Sequence, residues 1–546
     1  MSHITPRPAE HPAYELTIRS LFEAPVLDDP EQEIVYRGQV RLTYRQFRER
    51  VHRLAGALAA LGVKPGDTVA MLDYDSHRYL EAFFAVPMMG AVLHTINVRL
   101  SPEQIAYTID HAEDDVLLVH TDFLPVLEGI RGKIEEPKAI VALVDEVRPA
   151  TSLPLAGEYE GLLAAAPARF TFPELDEGTR ATTFYTTGTT GHPKGVYFSH
   201  RQLVLHTLGV TTALGTARHC TFRQGDVYMP ITPMFHVHAW GLPYVATMLG
   251  VKQVYPGRYA PDALLALIDR EKVTFSHCVP TLLHMLLRTP GTEKVDLSRW
   301  KVLIGGASFP KALAEAALAR GIDAAAGYGM SETCPILSIA SLDEADLAAG
   351  AQHQADLRAR TGRTLPLVQI RVVDEQGAEQ PRDGRATGEI VVRAPWLTQG
   401  YLKDAKASDK LWAGGWLHTG DVAWRDERGY LKITDRTKDV VKVGGEWISS
   451  LEIEDALLSH AGVAEAAVIA MPDAKWGERP LALVVVKPEA AGKLSEKDLH
   501  HHLHDYAHRG ALNKQVVVSA VRFVDAIDKT SVGKVNKVAL RQKHLG

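Results

Sequence analysis

The chain has 546 residues, 46% of them hydrophobic and 23% charged, with 60 Lys and Arg against 66 Asp and Glu for a net charge of −6. That composition is globular and excludes a disordered, collagen-like or disulfide-stapled chain. A weakly acidic balance with interspersed signs also excludes a general nucleic-acid binder, which needs a basic footprint. The first predicted element is an amphipathic helix over 43–62. Thr43 and Gln46 form a capping-box pattern, Phe47, Val51, Leu54, Leu58 and Leu61 share one face, and Gly62 supplies a left-handed stop. Val69–Leu72 follows as a short buried strand. The most apolar stretch, Phe83–Ile96, is interrupted by Pro87 and His94 and is shorter than the ~20 residues of a membrane span. Asp115–Val119, Ile140–Val144, Val273–Cys278 and Val302–Ile304 read as further buried strands between helical patterns. Strands alternating with helices imply parallel or mixed sheets with helices on their faces.

From about residue 366 the texture changes. Val368–Val373 and Gly388–Arg393 alternate between turn signals, which is antiparallel in character and compatible with a small barrel. After the charged stretch Asp435–Asp439 and the pair Gly444-Gly445 comes a compact run: strands at Ala464–Met471 and Leu481–Val486, then a helix at Ser495–His508. This tail reads as a separate small domain on a short hinge. Cys220, Cys278 and Cys334 are too few and too scattered for a disulfide framework or a four-cysteine zinc site, so buried thiols in a reducing cytoplasm are expected. The N-terminus shows no signal-peptide pattern. His500, His504 and His508 recur at helical spacing beside His501 and His502, but no ordered acidic or cysteine ligand accompanies them, and a solvated face is expected.

The most informative segment is Thr182-Thr-Phe-Tyr-Thr-Thr-Gly-Thr-Thr-Gly-His-Pro-Lys-Gly-Val196. A strand runs into glycines, hydroxyls and a lysine. Glycines let backbone N–H groups approach phosphate oxygens, hydroxyls donate, and the lysine adds a point charge. It is not a Walker A loop, because Lys194 is followed by Gly195 and a strand-like Val196–Phe198 rather than by a hydroxyl residue opening a helix. Next in order come Gly305-Gly306-Ala307, Tyr328-Gly-Met-Ser-Glu-Thr333, His418-Thr-Gly-Asp421, Asp435-Arg-Thr-Lys-Asp439, Gly444-Gly-Glu-Trp447 and Asp528-Lys-Thr-Ser-Val-Gly-Lys534.

In these motifs and their order the chain resembles the adenylate-forming (ANL) superfamily over roughly residues 30–546. Pro233-Met-Phe-His-Val-His-Ala-Trp240 and Gly444-Gly-Glu-Trp-Ile-Ser449 look most like its medium- and long-chain fatty acyl-CoA synthetases. The resemblance implies an α/β chain in three parts. Residues 1–434 would form a large multi-layer adenylation domain with parallel and mixed sheets and a small β-barrel. Residues 435–439 would be a hinge, and 440–546 a small mobile α+β lid. It implies activation of a fatty acid through acyl-AMP, then thioester formation with coenzyme A, releasing AMP and pyrophosphate. A fatty acyl-AMP ligase serving a carrier protein, or a ligase for short or sulfur-containing acids, is the alternative; a non-catalytic acyl sensor is disfavoured by the intact Lys534, Glu332 and Asp421.

By the same resemblance Lys534, Glu332 and His236 are the catalytic set, with ATP, coenzyme A and Mg²⁺ required. Thr186, Thr187, Gly188, Thr189, Thr190 and Lys194 would hold phosphates. Gly305, Gly306, Ala307, Gly327, Tyr328, Gly329 and Ser331 would bind the nucleotide, with Tyr328 stacked on adenine. Asp421 and Arg436 would take the ribose. Glu332 would carry Mg²⁺, assisted by Thr187 unless that residue only stabilises the loop. His236, Trp240, Gly306 and Gly329 would face the acyl group, with Trp240 as a gate or, alternatively, as core packing; His236, one helical turn earlier, would face the same site. Lys438, Lys442, Gly444, Gly445, Glu446 and Trp447 would form the hinge and coenzyme A face. A homodimer in the cytoplasm, with no membrane-spanning segment, completes the expectation. Arg509–Gln515 departs from the usual approach to the last strand.

Overall fold

The computed structural model describes residues 8, 10–12, 14–147, 150–186, 192–443, 446–508, 520–529 and 535–545, with the backbone alone at 446 and 447. Four sheets organise it. The first has seven strands in the order Leu155–Glu158, Ala139–Leu143, Asp114–His120, Thr68–Leu72, Val92–Thr95, Arg180–Thr186 and Lys194–Ser199. All neighbours are parallel except the last pair, an antiparallel hairpin with Thr186 opposite Lys194. Its apolar strands are covered by helices on both faces, as a parallel sheet requires. The helix Tyr44–Ala60 carries both hydrogen bonds of the Thr43/Gln46 capping box, and Gly62 takes a φ of 92°. The helix His77–Met88 is buried on every side, which accounts for the apolar stretch read from the sequence. Among the described residues no helix is long and apolar enough to cross a membrane.

The second sheet has nine strands, ordered Arg363–Thr364, Ile336–Ile339, Asp323–Gly329, Lys301–Ile304, Phe275–Cys278, Val227–Ile231, Lys252–Tyr255, Glu33–Tyr36 and Val40–Thr43. It is parallel in the middle and antiparallel at both ends. Glu33–Tyr36 lies parallel to Lys252–Tyr255, so the start of the chain completes a sheet built mostly from its middle. The strand expected over 273–278 begins only at Phe275.

The texture change after 366 is real. Gln369–Val373, Gly388–Arg393, Leu417–Arg425 and Leu431–Arg436 form an antiparallel sheet. It runs as a four-stranded path in the place expected for a small barrel, and its two outer strands do not pair with each other among the described residues. The last sheet contains the hairpin Val463–Asp473/Gly477–Val486, with Val441–Val443, Glu446–Ile448 and the parallel strand Ala520–Phe523 beside it. Helices Ser450–Leu458, Glu496–His508 and Lys537–Leu545 accompany it.

Candidate active site

The site assembles at the carboxyl ends of Lys301–Ile304 and Asp323–Gly329, where open parallel sheets present ligands to their loops. Glycines there are demanded by crowding. A Cβ on Gly305 would lie 3.0 Å from the Gly327 carbonyl oxygen and 3.0 Å from Trp240 Cη2, and one on Gly329 only 1.8 Å from the Pro335 oxygen. Gly306 takes a φ of 79°. Gly306 and Gly327 are half-buried, and Ala307 is exposed at the mouth.

Tyr328 Oη donates to Asp421 Oδ2 at 2.8 Å, and Arg436 Nε lies 3.1 Å from Asp421 Oδ1. Asp421 and Arg436 are opposite one another across two antiparallel strands, so the sheet itself sets the pair. Asp421 is buried, and the Coulombic pull of its carboxylate holds the Arg436 guanidinium above its ordinary range. Burial, then the Asp421 charge, drives the Tyr328 phenol well up, so it stays a donor. Each carboxylate oxygen keeps acceptor capacity beyond these bonds.

Glu332, on the short turn Ser331–Thr333, is also buried; its Oε1 accepts from Tyr401 Oη at 2.7 Å. Burial raises its pKa and the Tyr401 bond works against that rise. Lys194 Nζ sits 4.5 Å above the Tyr401 ring. The Leu402 N–H donates to Gly195 O at 2.8 Å, and Val196 bridges Tyr401, so this tyrosine fastens the hairpin end to the Glu332 turn. Ser331 is half-buried. Tyr401 was missed by the sequence reading; no motif spacing marks it. On the hairpin's far flank, His192 stacks on Tyr107 with centroids 4.3 Å apart. Thr186 is half-buried, whereas Thr187, Gly188, Thr189 and Thr190 lie outside the described residues.

The acyl-side segment departs from expectation. His236 is half-buried, and its backbone is extended at φ −93° and ψ 101°. Val237, His238, Ala239 and Trp240 then take φ of 48°, 54°, 48° and 59°. His236 and Trp240 are therefore separated by a left-handed turn, not by a right-handed helical one. Such a conformation costs roughly 1–2 kcal/mol per non-glycine residue. Trp240 is buried in an apolar cluster with Ile231, Cys278, Leu303 and Ile304, its ring 5.0 Å from that of His277. Buried His238 is enclosed by the rings of Phe83, Phe184, Phe198 and Tyr244, and neither ring nitrogen has a hydrogen-bond partner among the described residues.

Lys438 and Lys442 are exposed, and Lys442 Nζ lies 3.6 Å from Glu375 Oε1. Glu446 and Trp447 stand opposite Val443 and Lys442 in a hairpin. Gly444, Gly445 and Lys534 lie outside the described residues. On the helix Glu496–His508, His500 approaches Glu496 at 3.3 Å and His502 Nε2 meets the Ala456 carbonyl oxygen at 2.9 Å. Among the described residues no group of three metal-type ligands occurs.

Residues 22–402 match the family model described as AMP-binding enzyme, and residues 452–534 match that of the AMP-binding enzyme C-terminal domain. The chain is 43% identical over 522 residues to a long-chain-fatty-acid–CoA ligase of Thermus thermophilus, covering 94% of this chain and 93% of that one. It is 39% identical over 521 residues to a 3-methylmercaptopropionyl-CoA ligase of Ruegeria pomeroyi, covering 93% and 92%. Among solved structures, ATP-bound MatB from Rhodopseudomonas palustris superposes with a TM-score of 0.82 at 27% identity, covering 97% of this chain and 99% of that one.

Proposed function

The chain belongs to the AMP-binding enzyme family, as an acyl-CoA synthetase, and from that premise we propose that it activates medium- to long-chain fatty acids in two half-reactions. In the first, the fatty carboxylate attacks the α-phosphorus of ATP, giving acyl-AMP and pyrophosphate. In the second, the thiol of coenzyme A displaces AMP. The observation that carries the nucleotide part is the buried Asp421 carboxylate, clamped by Tyr328 and Arg436 and retaining acceptor capacity for ribose hydroxyls. Clamping fixes its oxygens before the nucleotide arrives, so orientation costs little at the moment of reaction.

The first step brings two anions together, and preplaced positive charge lowers its barrier most directly. Lys194 is one such cation at the hairpin end; Lys534 is assigned the bridging role between carboxylate and α-phosphate. Glu332 fits a magnesium ion through the chemistry of its donor set: a hard carboxylate oxygen, anchored on its other side by Tyr401, suits an ion that keeps phosphate and water ligands. Mg²⁺, when bound there with Thr187 assisting, would offset phosphate charge. Residues 1–434 act as the adenylation domain, 435–439 as hinge and 440–546 as lid. Hinge rotation at Lys438 exchanges Lys534 for the face of Lys442, Gly444, Gly445, Glu446 and Trp447, which meets coenzyme A. Closure keeps water from the acyl-adenylate.

Preference for a fatty tail is supported by the apolar setting of Trp240; His236, Gly306 and Gly329 are assigned to the carboxyl end in this proposal. Each buried CH₂ contributes about 0.8 kcal/mol, roughly fourfold in affinity. The similarity to a 3-methylmercaptopropionyl-CoA ligase favours a second reading, a short sulfur-containing acid. Pyrophosphate release across acids of two to eighteen carbons plus 3-(methylthio)propionate, with and without coenzyme A, separates the two. The fatty reading requires acids of eight carbons or more to give the highest kcat/KM; a maximum at the thioether acid replaces it with the second. A homodimer belongs to the proposal and is checked by the particle mass in solution. The three buried free thiols support a reducing compartment such as the cytoplasm.

A further inference from the structure

Between the four-stranded sheet and the C-terminal elements lies a buried charged cluster that the mechanism above does not use. Asp435 is 1% exposed and is held in the four-stranded sheet opposite Val422. Its Oδ2 accepts from both the Ser450 backbone N–H and the Ser450 hydroxyl, each at 2.6 Å. Ser450 opens the helix Ser450–Leu458. Lys537, the first residue of the helix Lys537–Leu545, donates to the same Ser450 hydroxyl and lies 2.8 Å from Glu454 Oε1. Lys537 and Glu454 are 7% and 6% exposed. A third tie, Arg541 to Asp439 at 2.7 Å, fastens the same helix to the hinge stretch. Burial works against the Lys537 charge, but the Glu454 and Asp435 carboxylates outweigh it and hold the amine above its ordinary range.

We infer that Asp435, Ser450 and Lys537 form a latch across the hinge that positions the last helix for the adenylation half-reaction. The inference rests on the two-half-reaction reading above and assigns it positioning residues. Asp435 is fixed to the sheet that carries Asp421, and its neighbour Arg436 holds that carboxylate. Lys537 follows Lys534 by three residues, a length of chain that spans at most about 11 Å. The latch therefore ties the ribose-side strand to the stretch that carries the catalytic amine. Its parts divide at the Lys438 pivot: Glu454, Ser450 and Lys537 belong to elements after residue 440, and Asp435 to the strand Leu431–Arg436 before it. Rotation about Lys438 leaves Asp435 behind and carries the Lys537–Glu454 pair away intact, so the contact exists only in this arrangement. Buried ion clusters contribute little net stability compared with apolar packing, but removing one partner is costly. That asymmetry suits a device that selects an arrangement.

The test measures both half-reactions separately: acyl-AMP formation from ATP and acid, and thioester formation from supplied acyl-AMP and coenzyme A. Lys537→Met lowers the first at least tenfold and leaves the second within twofold, and Lys537→Arg restores the first to within threefold. Asp435→Asn, which preserves the Lys537–Glu454 pair and with it the packing of the C-terminal helices, shows the same asymmetry at smaller size, and guards against a Lys537→Met chain that does not fold. Equal losses in both halves, or a loss confined to thioester formation, overturn the latch. Lys534→Ala, run in parallel, tests the underlying reading. If it too lowers both halves equally, domain alternation fails; if it splits them and the Asp435 and Lys537 variants do not, only the latch fails.

Discussion

The two sides of the site are built on opposite principles. On the nucleotide side, Asp421, Tyr328 and Glu332 are buried, Tyr401 is half-buried and Arg436 is exposed, and their polar atoms meet one another at 2.7–3.1 Å. On the acyl side, four consecutive non-glycine residues hold a left-handed turn, and His238 keeps two buried nitrogens without partners among the described residues. Unpaired buried polar atoms cost about 1–3 kcal/mol each. On the proposed function, the nucleotide would meet a preset surface, whereas the acyl tail would meet a segment held under strain. Strain of this kind persists only where surrounding packing over-determines it, and it concentrates at functional sites. The packing here is supplied by Phe83, Phe184, Phe198 and Tyr244.

The largest effect that would break this contrast comes from the preset side. Asp421→Ala leaves the buried Tyr328 hydroxyl without its acceptor and removes the carboxylate assigned to the ribose, while the exposed Arg436 is left to solvent. Steady-state kinetics should show kcat/KM for ATP falling about a hundredfold, with the ranking of acids unchanged; a changed ranking would mean that the two sides are not separate. Tyr401→Phe comes next. It removes the bond that stabilises ionised Glu332, worth about 1.5 kcal/mol or more for a charged acceptor. Activity falls about tenfold, and because the carboxyl then holds its proton to higher pH, the acid limb of the pH–rate profile moves upward. An unmoved limb would show that Glu332 ionisation is not read out in catalysis.

Trp240→Ala sharpens the other half. The ratio of rates between long and short acids should change about five- to tenfold while KM for ATP stays within twofold; an equal rise in KM for ATP would erase the distinction. The smallest effect concerns acid stability. Burial holds His206, His238 and His277 at about 3 and His200 at about 4. Below about 6.5 the unfolded chain binds protons that the folded one refuses, so stability falls from there towards pH 3. Asp75 and Asp455, pushed up to about 7 by burial, act in the opposite direction but are outnumbered. Melting temperature should drop by several degrees between pH 7 and pH 5; a constant value would contradict neutral buried histidines.

Local features were legible in the sequence. The Thr43/Gln46 box and the one-sided apolar spacing set the helix Tyr44–Ala60, because every interaction involved lies within one or two turns. The two strands flanking the glycine-rich segment, Arg180–Thr186 and Lys194–Ser199, were legible for the same reason, though not their antiparallel pairing. Asp421 and Arg436 were named separately from motifs, but their pairing follows from strand register, which depends on the whole four-stranded sheet. Tyr401 and Glu332 are 69 residues apart and share no periodicity, so only the fold joins them. Glu33–Tyr36 could not be placed in the second sheet, since its partner Lys252–Tyr255 is more than two hundred residues away. The turn at 237–240 was unreadable for a different reason: Val, His, Ala and Trp are not residues that invite positive φ, and only Gly241 after them does.

The resting place of Lys194 has a consequence for how the enzyme greets its nucleotide. Its ammonium leans on an aromatic face, a contact worth about 0.5–1 kcal/mol at an exposed position. Tyr401 thus stands as a spacer between that amine and the carboxylate it hydrogen-bonds; in the phosphate-binding role proposed for Lys194, a triphosphate would recruit the lysine by displacing this weak partner, since among the described residues no ion pair holds it. The same phenol serves two masters, a cation on its face and an anion at its rim, and so keeps opposite charges ready side by side without letting them spend themselves on each other.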